Sequence, residues 1–597
     1  MIKILARHAL TDDCVESSEE ELLLEGNWPA MQRRTGRQSF DDAIDSQYGW
    51  IDRLAMEFAQ QAGERDSRST RAVTFPYINA LALRYYLVKL LRVVAYFRQV
   101  RPLNAGDFVA LHLTPGDAHY ADLIEQLASA SGCRFRLHWH DAPVEQNQPP
   151  LRAAAWRRWA GCAVGWGKRA CERRPPTGRE WEPEAPDWHH DDTPRVVVCG
   201  NPSILNPVCA ELVARGARVW WLHERFAARC WWRWRAAGVQ QLTCDAPGSL
   251  ASSFHDAGPL SQLDVDGIHL TRAVERWLVE RAAEVGQIQS LWLDRVDNHF
   301  HKVRPTALIV DEDATPFKRL AVALARRYGA RSAVVQHGAP CGPFGFAPLA
   351  ADEIAVWGDS ARRQLEAWSV PAERIRLVGW PKLRREFLEI VPSPRPPRAR
   401  DKRFLLLATL PPRDERPDNV EFHLTSDSAA AMFEMVCHVL SQIESATLTV
   451  KLHPRDSRSS LSPCPLVSLS STSTWANRSV RVVQSHDLAS LVAASDCVLS
   501  CASTAGTEAA LAGAPVVQLL PIGSGNILPA DDWGFIGSAR TAEELGPLIE
   551  QALARGWRKD PVAHERILAS YGPDAAARIV DGVLNTRMLS NHFGVAA

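Results

Sequence analysis

The sequence lacks any long uncharged apolar run. A membrane-crossing helix needs roughly eighteen or more such residues. The best stretch here, Leu81 to Phe97, is broken by Arg84, Lys89 and Arg92. A secretory leader is not expected either, because the apolar part of MIKILARHALTDD is too short to serve as one. Neither sign of charge is in excess. Lys and Arg total 68 against 69 Asp and Glu, so no global field draws the chain to nucleic acid or an anionic surface. The thirteen cysteines, from Cys14 to Cys501, form no C-x-x-C pair. Cys497 and Cys501 do not have zinc-knuckle spacing, and an odd, unframed set reads as the reduced thiols of a cytoplasmic protein. Internal repeats are absent. Tyr is scarce, with 8 residues beside 21 Trp.

What is present is length and alternation. A chain of 597 residues exceeds one core and implies two or three domains. Two Pro-rich stretches, Pro175–Pro194 and Pro392–Arg400, read as linkers. Residues 1–174 form a mixed α/β extension with a helical pattern near 78–98 and one β-α-β-like piece (DFVALHL, ADLIEQLASASG, CRFRLHWH). Residues 195–390 and 401–585 each alternate short apolar strands with helices, which implies parallel sheets covered on both faces. The expected fold class is α/β, with two doubly wound Rossmann-like domains facing a cleft. Ligands of such sheets sit at the carboxyl ends of the strands, so the loops that follow the strands carry the chemistry.

Three of these loops hold reactive or phosphate-binding residues. TLTVKLHP is a strand ending in Lys451, His453 and Pro454; Pro454 biases His453 toward an extended backbone, aiming its imidazole out of the strand end. A histidine there can bond a phosphate oxygen, or merely cap a loop. DCVLSC is followed by a small-residue turn and a helix. Ser503, Thr504 and Gly506 offer hydroxyls and a close backbone approach, and Glu508 can bond a ribose hydroxyl. The plain alternative is a capped helix with Thr507 as N-cap. TALIV is followed by Asp311, Glu312 and Asp313, of which one carboxylate can act as general base. One acid can instead cap the helix starting near Pro316, with Thr315 as the rival cap. SAVVQ ends in His337-Gly338, which parallel neighbouring strands would set on the same rim. The acids also match a metal-binding D-x-D pattern.

Taken in order, DEDATP, VVQHG, DEIAVWGDSARRQL, IRLVGWPK, VKLHPRD and SCASTAGTEAALAGAPVVQL resemble a GT-B glycosyltransferase of bacterial surface-carbohydrate assembly over about residues 195–560. Sialyl- and polysialyltransferases pair an acidic motif with later His-Pro and Ser/Thr motifs. Capsule Kdo transferases are broadly alike, and teichoic-acid glycerophosphotransferases carry His-Gly and His-Pro, to which residues 335–338 and 451–454 are similar. Two departures stand out: Asp313 occupies the place of the usual Gly, and Ala339 follows Gly338 where Thr is usual.

The resemblance implies a nucleotide-sugar co-substrate, CMP- or CDP-linked, held by the second domain with His453, Ser503 and Thr504 on its phosphate. Asp311, then Glu312 or His337, would be the base. The implied chemistry is inverting and needs no metal or other cofactor. The implied partners are that donor and a glycan or lipid-linked acceptor. A cytoplasmic enzyme is expected, with possible contact at the inner membrane face through basic-aromatic stretches at residues 153–174 and 225–235. Nucleic acid is not expected. His189, His190, Asp191 and Asp192 read as a solvated linker tract rather than metal ligands. Rival readings are a sugar-nucleotide epimerase or hydrolase on the same fold, a CDP-alditol phosphotransferase, and a non-catalytic assembly partner.

Overall fold

The computed structural model describes residues 2–7, 20–25, 73, 75–100, 102–113, 119–139, 193–224, 238–244, 263–265, 267–343, 345–393, 401–407, 426–452, 480–484, 486–501, 503–520 and 528–584. Three parallel sheets organise them, with a small antiparallel hairpin beside them.

The first sheet has the order β2-β1-β3-β4. Its strands are β1 (Ile2–Arg7), β2 (Glu20–Glu25), β3 (Phe108–Leu113) and β4 (Arg134–Trp139). The opening apolar stretch is therefore an inner strand. It pairs in parallel with β2 on one side and β3 on the other. Helices α1 (Ala80–Ala95) and α2 (His119–Ala130) contribute to a core of their own, together with the start of the long helix α4 (Thr271–Val303).

The front sheet has seven strands. They are β5 (Arg195–Cys199), β6 (Arg218–His223), β7 (Val239–Thr243), β10 (Ala307–Val310), β11 (Arg331–Val335), β12 (Glu353–Val356) and β13 (Ile375–Leu377), in the order β13-β12-β11-β10-β5-β6-β7. The hairpin β8 (Asp264–Val265) and β9 (Ile268–His269) stands apart. Strands such as VVV and ALIV are buried on both faces, so they are apolar runs rather than alternations. The helices that follow them are α3 (Pro202–Ala214), α5 (Pro316–Arg327) and α6 (Asp359–Ala367). The strand order reverses between β5 and β10, and that crevice is where an open α/β sheet takes ligand.

The rear sheet has the order β16-β15-β14-β17-β18-β19. Its strands are β14 (Lys402–Leu407), β15 (Ala446–Lys451), β16 (Val480–Val483), β17 (Cys497–Ser500), β18 (Val516–Leu519) and β19 (Gly537–Ala539). It is wrapped by α7 (Ser426–Ser441), α8 (Thr504–Ala512) and α9 (Ala542–Arg555). Its reversal lies between β14 and β17.

The last described stretch belongs to the front sheet. After α10 (Pro561–Ile567) the backbone runs against the ends of β12 and β13. Ala569 N donates to Trp357 O (2.8 Å), Trp380 N to Ser570 O (2.9 Å) and Gly572 N to Trp380 O (3.0 Å). Side chains at Gly358 and Gly379 would collide with this segment, since a Cβ at Gly379 would lie 2.2 Å from Ser570 O. Helix α11 (Gly572–Leu584) then packs on α3 and sends Ile579, Val580 and Val583 into the front core. Packing thus crosses the 401–585 division drawn from the sequence. The two larger sheets are doubly wound and parallel, with an α/β extension before them.

Candidate active site

The loops after β10, β11 and β17 converge. Ala339 N, two residues beyond His337, donates to Thr504 Oγ1 at 3.2 Å, and a Cβ on Gly338 would lie 3.1 Å from the same oxygen. Front and rear loops therefore meet at this point.

On the front side the acids are buried. Asp311 and Glu312 are each 5% exposed and Asp313 is 1% exposed. Asp311 lies at the strand-order reversal. Its Oδ2 accepts from Asn201 N (2.9 Å) in the turn between β5 and α3, and its Oδ1 meets Lys318 Nζ at 2.7 Å. Gly200 makes room for this carboxylate, because a Cβ there would stand 2.2 Å from Asp311 Oδ1. Glu312 meets the same Lys318 Nζ at 2.6 Å. It also accepts from Ala314 N (2.7 Å), Thr315 N (2.9 Å) and the Thr315 hydroxyl (2.5 Å). Burial pushes the Glu312 carboxyl up, but Lys318 and these hydrogen bonds outweigh it and hold the group below its ordinary value. Burial likewise opposes the charge on Lys318, and the carboxylates of Glu312 and Asp311 more than reverse that, leaving its pKa raised. Asp313 turns away from the others. Its Oδ2 accepts from Ala350 N (2.6 Å) and Ala351 N (2.7 Å), so it pins the loop before β12. Burial raises its pKa against the pull of Arg319.

His337 occupies the centre of this group. Its Nδ1 lies 2.9 Å from Asp311 O, and its ring stacks on Phe346 at 4.7 Å and 15°. Gly345, with φ +72°, passes so close that a Cβ would be 2.8 Å from His337 Cε1. Burial lowers the imidazole pKa below the ordinary 6.5, more than the neighbouring carboxylates raise it. A carbonyl only accepts hydrogen bonds, so Nδ1 carries the proton, and in the neutral ring Nε2 keeps a free lone pair. Nε2 has no hydrogen-bond partner among the described residues.

These placements bear on four of the expected site residues. Asp311, the first choice of base, has both oxygens engaged, whereas His337 offers an open basic nitrogen. Thr507 is neither N-cap nor exposed. The helix begins a turn earlier with Ser503 as N-cap, its Oγ accepting from Ala505 N at 3.2 Å, and Thr507 is 0% exposed inside α8. Gly506 is required by packing, since a Cβ would fall 2.4 Å from Ser500 Oγ. The Lys451 ammonium donates to Gln484 O (2.8 Å) and Leu452 O (3.3 Å) at the ends of its own sheet, and burial lowers its pKa.

Glu508, one turn beyond Thr504 on α8, is half-buried. Burial raises its pKa, and Lys382 and Arg384 of the front domain draw it back. His453 and Pro454 lie outside the described residues, as do His189 to Asp192 and the basic-aromatic stretches 153–174 and 225–235. Lys318, which ties two of the acids together, was missed. Its sequence signal is a lysine in the first turn of a helix, where the positive end of the dipole disfavours it. The D-x-D reading fits poorly, because Asp311 faces Lys318 and Asp313 faces backbone N–H groups. Among the described residues no group of three or more His, Cys, Asp or Glu could hold a metal ion, and no helix is long and apolar enough to cross a membrane.

No family model matches the sequence, and no curated protein matches it. Solved structures do. The Methanocaldococcus jannaschii UDP-GlcNAc 2-epimerase in complex with UDP-GlcNAc and UDP is 12% identical, covering 66% of this chain and 99% of its own, with a TM-score of 0.41. The lipopolysaccharide outer core galactosyltransferase WaaB, apo form, is 10% identical with the same two coverages and TM-score. The wall teichoic acid polymerase TagF is 13% identical, covering 65% of this chain and 88% of its own, with a TM-score of 0.32.

Proposed function

We propose that this chain is an inverting glycosyltransferase using a nucleotide-activated sugar, with His337 as the general base. The observation that carries the reading is the meeting of the two loops: Ala339 N on Thr504 Oγ1, two residues from an imidazole whose Nε2 has no hydrogen-bond partner among the described residues. The donor, CMP- or CDP-linked in this reading, rests on the rear sheet. Its phosphate takes the first turn of α8 with the Ser503 and Thr504 hydroxyls, where the helix dipole favours an anion. His453, from the loop after β15, bonds the leaving oxygen. The acceptor hydroxyl gives its proton to His337 Nε2 while its oxygen bonds the anomeric carbon. The anomeric C–O(phosphate) bond breaks, and the nucleotide departs with the electron pair. Developing charge is met by prearranged dipoles and hydrogen-bond donors rather than by a metal. A glycan or lipid-linked acceptor at the inner face of the membrane accords with the basic-aromatic stretches of the sequence.

The test is a thermal-shift panel of CMP, CDP, UDP and GDP, followed by nucleotide release from the matching sugar donor with and without glycan acceptor. A nucleotide at about a hundred times its Kd adds about 2.7 kcal/mol and raises the melting temperature. Release that needs acceptor, and is lost in His337→Ala, supports transfer. Equal release without acceptor replaces it with a hydrolase or epimerase, and a panel with no shift removes the nucleotide altogether.

A further inference from the structure

A buried cation is costly unless something nearby repays it. Lys318 sits in the first turn of α5, at the positive end of the dipole, with its side chain only 19% exposed. Two carboxylates hold it there, Asp311 at 2.7 Å and Glu312 at 2.6 Å. Both also define the place of His337. The Asp311 carbonyl receives Nδ1, and Glu312 Cβ lies against the same Gly345 position that confines the ring.

We propose that Lys318 is a positioning residue for His337: by tying Asp311 to Glu312 it fixes the carbonyl that orients the imidazole and offsets the carboxylate charge beside it. The charged and titratable groups around the ring are few. Asp311 and Glu312 come from the loop after β10 and Lys318 from α5; Cys199 of β5 stands near Lys318 with its thiol kept protonated by burial. Phe346 and Gly345 add only bulk from the loop after β11, and Thr504 adds a neutral hydroxyl from the rear sheet. With the lysine present, two negative charges face one positive charge. Without it, both carboxylates act on the imidazole unopposed, favouring its protonated form and disabling Nε2 as an acceptor of protons.

This inference rests on His337 being the base, and the experiment separates the two. The full chain is labelled with 13C,15N-histidine, and the His337 signal is assigned by its loss in His337→Gln. Its titration is then followed by NMR without substrate, alongside the pH dependence of nucleotide release. In Lys318→Met the His337 midpoint moves up by about one pH unit or more, the scale of a full charge a few ångströms away. Lys318→Arg restores it, Glu312→Gln moves it down, and Lys318→Met with Glu312→Gln returns it toward the parent. Should Lys318→Met fail to fold, the downward shift in Glu312→Gln still carries the test. Parental midpoints in folded Lys318→Met or in Glu312→Gln overturn the proposal. If the NMR midpoints move as stated but the acid limb of turnover does not follow them, Lys318 keeps its role and the base assignment falls.

Discussion

Replacing Gly345 by alanine tests the site without changing the identity of any group proposed to react. Its φ of +72° is strained for any residue with a Cβ, a cost of roughly 1–2 kcal/mol. The new methyl would stand 2.8 Å from His337 Cε1 and 3.2 Å from Glu312 Cβ. Carbon atoms settle at about 3.5–4.0 Å, so the ring has to retreat by about 0.7–1.2 Å. Phe346, stacked on that ring at 4.7 Å, limits where it can go. A displacement near 1 Å at a reacting group costs about a hundredfold in rate. Gly345→Ala is therefore expected to lose about two orders of magnitude in kcat for acceptor-dependent nucleotide release. Its nucleotide-induced thermal shift should stay parental, because that ligand is assigned to the rear sheet. Urea unfolding should register the backbone strain separately. A folded Gly345→Ala enzyme with parental kcat would refute the placement of His337 in the chemistry.

Three further outcomes follow from the same geometry. The His337 pKa is held below 6.5, so the acid limb of kcat/KM should lie below that value; a limb at or above it contradicts the assignment. In the same window the unfolded chain binds the extra proton, so this group's stabilising share fades as pH falls from 6.5 toward the folded pKa, as urea midpoints will show. Thr504→Val leaves the buried Ala339 N without its 3.2 Å partner, costing about 1–3 kcal/mol of stability, and should weaken nucleotide affinity in calorimetry. His453→Ala should cut transfer by about two to three orders of magnitude, the scale of one lost donor to a leaving oxygen; full activity there removes His453 from the mechanism.

Much of this was legible in the sequence because strands buried on both faces are short apolar runs with their reactive residues placed right after them. TALIV before Asp311 and SAVVQ before His337 are such cases. The rest depended on distant partners. Ile2–Arg7 is in isolation only a short apolar stretch and becomes an inner strand through pairing with Phe108–Leu113, about a hundred residues on. The surroundings of Asp311 were hidden for the same reason. Asp311 is the more obvious acid in the sequence, and its engagement by Asn201 N and Lys318 Nζ exists only once β5 and α5 flank β10. Hydroxyls at Ser503, Thr504 and Thr507 all suit a helix start, and only the bond from Ala505 N to Ser503 Oγ selects among them. Chain order assigned Gly572–Leu584 to the rear domain, although its apolar face completes the front one.

That last helix has a mechanical consequence. The chain passes between the front and rear sheets twice, once between β13 and β14 and again after β19, where Arg566–Gly572 returns it to the front. A body tethered at one point can swing in any direction, whereas one tethered at two points turns chiefly about the line between them. Two connections of this kind limit the ways in which the front and rear sheets can separate, and so favour keeping Thr504 beside Ala339.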